Sequence, residues 1–232
     1  MSAEPTGFLY PFLDDHDHDA DDPDRRRAER AELLADLTRS AAAKIATSRA
    51  TRADTLQRCR PAISAAAVAM AVRVVKGGRI WCFGNGGSST DADAAVARFR
   101  RPSSGPAIAA ASLVADRAVL TALANDVGFE LVFARQLIAH GRAGDVALGI
   151  STSGGSANVL AAFAEARRRG LLTVGLSGYD GGAMTTAGLD HCLVVGSDSV
   201  HRIQEAQDAV LAALHRGVQD ALGDGDGGGA AT

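Results

Sequence analysis

Aromatic side chains are scarce in this chain. They make up 4% of the 232 residues, with a single tryptophan, and no aromatic or basic partner patch stands out beyond residues 8–13 (FLYPFL). Cysteine is nearly as rare: Cys59, Cys82 and Cys192 lie far apart and form no metal-type pair, so a reducing, cytoplasmic setting is the simple expectation. No apolar run approaches the ~20 residues that a membrane-spanning helix needs. The first residues lack the basic start and apolar core of a secretion signal. Net charge is −3, with the signs mixed and no basic stripe, which leaves no electrostatic case for direct nucleic-acid binding. The glycine- and hydroxyl-rich turns contain no lysine, which removes a P-loop from consideration.

What is present is an ordinary globular composition, 47% hydrophobic and 22% charged, on a chain long enough for one sizeable α/β domain with extra helices. The most informative stretch is Ile150-Ser151-Thr152-Ser153-Gly154-Gly155-Ser156. It follows an apolar run at 145–149 that reads as a buried strand, and it precedes a helical pattern at 157–169. Small hydroxyls and glycines therefore sit where a strand hands over to a helix N-terminus. Unpaired N–H groups and the positive end of the helix dipole favour an anion there, and the hydroxyls add donors without filling the space of a phosphate. Such a cradle suits a monophosphate ester better than a nucleotide with its magnesium.

Residues 1–24 stand apart: the FLYPFL patch is followed by an acidic run, DDHDHDADDPD, which reads as a flexible arm. The aromatic patch could instead dock on a neighbouring subunit, whereas His16 and His18 in so mobile a tract make no preorganised metal site. A single domain is expected over 25–222, and the glycine-rich tail 223–232 is expected to be disordered. One or two helices are predicted over 25–55, and Pro61 is placed to open another over 62–75. Strands are predicted at 79–83, 107–111, 146–150, 172–176 and 192–195, with helices at 91–101, 116–124, 128–139, 157–169 and 202–222. That alternation implies a parallel sheet covered on both faces, with ligands beyond the carboxyl ends of the strands. Two glycine/serine loops, 84–90 and 151–156, leave such ends and can converge on one ligand.

The segments CFGNGGSSTDADA, TALANDVGFELVFARQ, GDVALGISTSGGSANVLAAFAEARRRG, GLSGYDGGAM and HRIQEAQ resemble, in order, the sugar isomerase (SIS) domain and within it the phosphoheptose isomerase group, over about residues 30–222. The resemblance implies a flavodoxin-like three-layer αβα sandwich with a five-stranded parallel sheet, a homotetramer or dimer with sites at subunit interfaces, and a phosphorylated sugar as ligand. Carried over by motif, Ser151, Thr152, Ser153 and Ser156 would hold the phosphate together with Ser88; Asn85 and Gly86 would contact sugar hydroxyls or shape the loop; Gln204 of RIQE would face the ligand or a zinc ion; and Asp116 would line the site.

Two departures from the family pattern bear on chemistry. Aldose–ketose isomerisation moves a proton between adjacent carbons through an enediol and needs a base. The family carries a His and a Glu one turn apart on the helix after GNGGS, where they also bind zinc; an ungapped count puts Ala94 and Arg98 there, and a small deletion is equally compatible. The family histidine eight residues after the glutamine is Ala212, and His215 lies ~16 Å along the helix from Gln204. The remaining acid/base candidates are His201, Glu205, Asp208 and Asp116, while an aspartate at Asp91 or Asp93 complements the dipole of the helix it opens. No cofactor is expected, because zinc would lack most of its family ligands. Two functions compete: an isomerase of sedoheptulose 7-phosphate and the aldoheptose 7-phosphate with a rearranged acid/base set, and a non-catalytic phosphosugar-binding protein similar to the type that associates with the replication initiator DnaA. A sugar-phosphate-sensing transcription regulator is the weakest reading, since residues 1–60 are too short and too acidic at the start for a helix-turn-helix domain.

Overall fold

The computed structural model describes residues 23–226; the arm expected at 1–24 lies almost wholly outside them, as do the last six residues of the tail. Two compact units divide at Ala46 and Thr47. In the first, residues 23–46 are helical and carry Leu33, Leu34, Leu37 and Ile45 exposed. The second, from Thr47 onward, contains the sheet.

The helix α1 spans Pro23–Val75, with Pro61 inside it rather than at a start. A proline interior to a helix loses one backbone hydrogen bond. Here Pro61 is exposed, so water can serve the freed carbonyl, while Ile63, Ala66, Ala67 and Met70 just beyond it are buried and hold the helix in register. Packing of that apolar stripe overrides the local break.

Five strands follow: β1 (Ile80–Gly84), β2 (Ala110–Ser112), β3 (Val146–Ser151), β4 (Leu172–Gly178) and β5 (His191–Val195). They form one sheet in the order β2-β1-β3-β4-β5, and every pairing is parallel. The helices between them are α2 (Gly87–Arg100), α3 (Arg117–Asp126), α4 (Val132–His140), α5 (Ala157–Arg168) and α6 (Val200–Asp226). The period-2 alternation of the strands sorts the core. Ile80, Cys82, Val146, Leu148 and Ile150 pack with Met70, Phe99 and Leu214 on one face; Trp81, Phe83 and Ala147 pack with Phe133, Leu137 and Phe163 on the other. This is the flavodoxin-like αβα arrangement. The helix expected at 128–139 is a short 3-10 turn, Phe129–Leu131, leading into α4, and α6 runs on through Asp226 into the expected tail.

Strand order reverses between β1 and β3, which are neighbours although β2 lies between them in sequence. Gly84 pairs with Ile150, so the loops leaving β1 and β3 start side by side. Crevices at such a switch point are where ligands bind in open α/β sheets.

Candidate functional site

Ser151 ends β3 and is buried; Ser156 is the N-cap of α5. Ser151 Oγ lies 2.9 Å from Ser156 Oγ and 3.4 Å from Ser153 Oγ, and the Gly155 N–H donates to Ser153 Oγ at 3.2 Å. Three hydroxyls thus meet at a helix start, with Thr152 half-buried in the same turn. Ser156 makes no capping bond to its own helix, so its hydroxyl is not committed there. A second glycine-rich segment sets the shape of the turn. Gly154 has φ +63°, and a Cβ on it would collide with the carbonyl oxygen of Gly181; Met184 N–H donates to Gly154 O at 3.0 Å. The GYDGG run at 178–182 is a backbone floor under the serine loop.

The first loop is tied to the second through amides. Asn85 Nδ2 donates to Asn158 Oδ1 at 2.8 Å, and Asn158 Nδ2 donates back to Asn85 Oδ1 at 2.9 Å. Asn158 is buried. Asn85, expected to meet the sugar or the loop, therefore spends its amide in a clasp between β1's loop and α5. Sequence reasoning passed over Asn158, although its place two residues after Ser156 was a signal. Gly86 (φ +54°) turns the chain into α2, Ser88 is buried in the first turn of that helix, and Gln204 of α6 presses on Gly87 so closely that a Cβ there would strike its Nε2.

One helical turn beyond that contact, Asp91 follows Gly87 on α2 and Asp208 follows Gln204 on α6. Arg98 Nη2 donates to Asp208 Oδ1 at 2.6 Å. Asp91 Oδ2 and Arg98 Nη1 are buried without a protein partner. Burial and the neighbouring Asp208 charge push the Asp91 carboxyl up to about 6, with Arg98 working against them. A carboxyl that exchanges its proton near neutrality is thus placed in the seam between α2 and α6. Sequence reasoning favoured a helix-dipole role for Asp91; burial by α6 was not visible to it.

The other acid/base candidates have different surroundings. Glu205 accepts hydrogen bonds from Ser48 Oγ and from Arg202 Nη1, and the Ser48 bond first of all holds its carboxyl below the usual range. Asp116 is the N-cap of α3 and accepts from Val119 N–H at 3.1 Å. His201 is exposed in the first turn of α6. His215 packs edge-on against Phe99, with ring centroids 5.4 Å apart, and burial lowers its affinity for a proton; it is a packing residue.

Among the described residues no three His, Cys, Asp or Glu side chains come together as a metal cluster, and the guanidinium of Arg98 lies against the Asp208 carboxylate.

The SIS domain family matches residues 44–178, and the chain belongs to that family. Within it the chain is similar to phosphoheptose isomerases. It is 50% identical over 152 residues to the phosphoheptose isomerase of Roseiflexus sp. (strain RS-1), a match covering 62% of this chain and 75% of that one. It is 41% identical over 171 residues to that of Rhodospirillum rubrum, covering 71% and 88%. The solved phosphoheptose isomerase from Neisseria gonorrhoeae superposes with TM-score 0.73 at 36% identity, over 79% of this chain and 99% of that one. The one from Francisella tularensis gives 0.75 at 30% identity, over 79% and 98%.

Proposed function

We propose that this chain is an aldose–ketose isomerase that interconverts sedoheptulose 7-phosphate and the aldoheptose 7-phosphate. The observation that carries the reading is the gathering of Ser151, Ser153 and Ser156 hydroxyls at the N-terminus of α5. Hydroxyls and helix N–H groups would hold the phosphate, leaving C1 and C2 to reach toward α2 and α6. Relatives at up to 50% identity carry the same activity in their names.

The chemistry needs a group to take a proton from one carbon and return it to the next, with the hydroxyl protons exchanged between O1 and O2. Asp91 is the carboxylate suited to it, since its proton is exchangeable near pH 6. Arg98, with a buried N–H lacking a protein acceptor, is the cation available to a developing enediolate. Gln204 would orient the sugar, and His201, exposed in the first turn of the same helix, would relay a hydroxyl proton. Glu205, locked by Ser48 and Arg202, fixes the start of α6.

A second reading, a phosphosugar-binding protein without turnover, is favoured by Ala94 and Arg98, the latter bridged to Asp208, standing where an ungapped count puts the family's His–Glu pair. Incubation with sedoheptulose 7-phosphate, followed by NMR, separates the two: product above the buffer control supports the isomerase, and tight binding without turnover overturns it. We further propose a cytoplasmic homo-oligomer. Val68, Val72 and Val75 are exposed on α1, and Cys59, Cys82 and Cys192 are unpaired thiols. Light scattering of the purified chain reads the oligomeric state. No helix among the described residues is long and apolar enough to cross a membrane.

A further inference from the structure

The serine loop sits at the carboxyl ends of the strands. At their amino ends the connections entering β1, β3 and β4 bring together Arg79, Trp81, His140, Arg142, Asp145 and Arg169 around a cavity of about 370 Å³. One carboxylate organises it. Asp145 Oδ1 accepts from Arg79 N–H at 2.9 Å, and Oδ2 accepts from Trp81 Nε1 at 2.8 Å and from Arg142 N–H at 3.0 Å. Its oxygens are spent on backbone and indole, not on guanidinium groups. Trp81 is stacked on His140, with centroids 5.9 Å apart and planes 20° off parallel, and the Arg79 guanidinium lies 5.2 Å from the indole centroid.

Arginines near helix C-termini have an ordinary role, meeting the last carbonyls of the helix. Arg169 fills it: Nη2 donates to Gly141 O at 3.0 Å, and Nη1 is 3.7 Å from Glu165 Oε1. Yet its Nε is buried with no acceptor. No protein acceptor among the described residues receives a hydrogen bond from the guanidinium of Arg79 or Arg142, and both side chains are exposed at the cavity. Next to it, a second cavity of about 440 Å³ shares Arg79 and adds Arg100 beside residues 107–111. A line of arginines therefore runs along the amino-terminal edge of the strands, with more donors than the protein has acceptors to offer. Guanidinium groups in that state are suited to phosphate oxygens in bidentate geometry.

We propose that this edge binds a small polyphosphate anion, at a site separate from the serine loop. The pair of adjoining cavities fits an anion with more than one phosphate better than a monoester. The inference stands whether or not the chain turns over a sugar phosphate.

The chain's single tryptophan lies in the cavity, so its emission reports on this site alone. Titration with inorganic pyrophosphate should change the Trp81 emission saturably, and the apparent affinity should fall with added salt. Arg142→Ala truncates an exposed side chain whose backbone N–H, the group that bonds Asp145, is retained; it should weaken pyrophosphate by roughly tenfold or more, the loss expected of a hydrogen bond between charged groups, with sugar-phosphate binding unchanged. Ser153→Ala should leave the pyrophosphate titration as in the wild type. A parallel titration with ATP tells whether the anion is accepted when carried on a nucleoside. An emission that stays flat at millimolar pyrophosphate overturns the proposal, as does a response abolished by Ser153→Ala and untouched by Arg142→Ala.

Discussion

The two sides of the sugar crevice are made in different ways. On the loop side, the serine turn, the GYDGG floor and the Asn85–Asn158 clasp are neutral: hydroxyls, amides and backbone packed so closely that side chains are excluded. On the helix side, the seam between α2 and α6 is a set of charges, Asp91, Arg98 and Asp208, with one oxygen and one N–H left without protein partners. On the proposed reading, shape recognises a phosphate monoester on the first side and protons move on the second. A chain can alter the second without disturbing the first, as the Arg98–Asp208 bridge would if Arg98 stands at the family's glutamate position.

The sharpest way to break this division is Asp91→Asn. If the seam does the chemistry, kcat should fall by about 10²–10⁴-fold with sugar-phosphate affinity nearly unchanged, and the rising limb of the kcat–pH profile near pH 6 should disappear with it. A loss confined to KM would move Asp91 to the binding side. Next in size, Ser156→Ala and Ser153→Ala should each weaken sugar-phosphate binding by roughly tenfold or more in calorimetry, the cost of about 1.5–3 kcal/mol for a hydrogen bond to a charged group. Unchanged affinity in both would take the loop out of the site. A double-mutant cycle on Asn85→Ala and Asn158→Ala should return a coupling of about 0.5–3 kcal/mol in chemical unfolding; additive losses would show that the two loops are not clasped.

The smallest effect concerns stability. Asp91 binds its proton more tightly folded than unfolded, its carboxyl rising from 3.8 to about 6. Ionising it therefore costs stability as pH rises from about 4 through 6, and the cost is complete above that. Asp91→Asn should accordingly raise Tm at pH 8 and give no gain near pH 4. A variant that is less stable at pH 8 would mean that the aspartate is held by contacts stronger than its burial.

The sequence carried the loop side well and the helix side poorly. Glycines and serines at a strand–helix junction have few structural alternatives, so the turn at 151–156 and its parallel sheet could be read directly. Segments such as GYDGG were matched as motif before their task as a floor was visible. Asp91 was underestimated because its environment is made by α6, more than a hundred residues later, and burial is not written in the local sequence. Asp116 and Glu205 entered as acids, but their carboxylates are engaged by Val119 N–H and by Ser48 and Arg202. Pro61 argued for a break that core packing beyond it overrides.

The reciprocal amide pair has one more consequence. Each amide supplies what the other lacks, and neither group titrates, so the spacing of the two loops is indifferent to acid, base and salt. Any pH dependence of the affinity for a phosphate monoester below neutrality then comes from the ligand, whose second ionisation falls near pH ~6, and from Asp91 across the crevice, not from the clasp. On the proposed reading the clasp is a fixed gauge: it keeps the loop spacing constant while the ligand and Asp91 change charge.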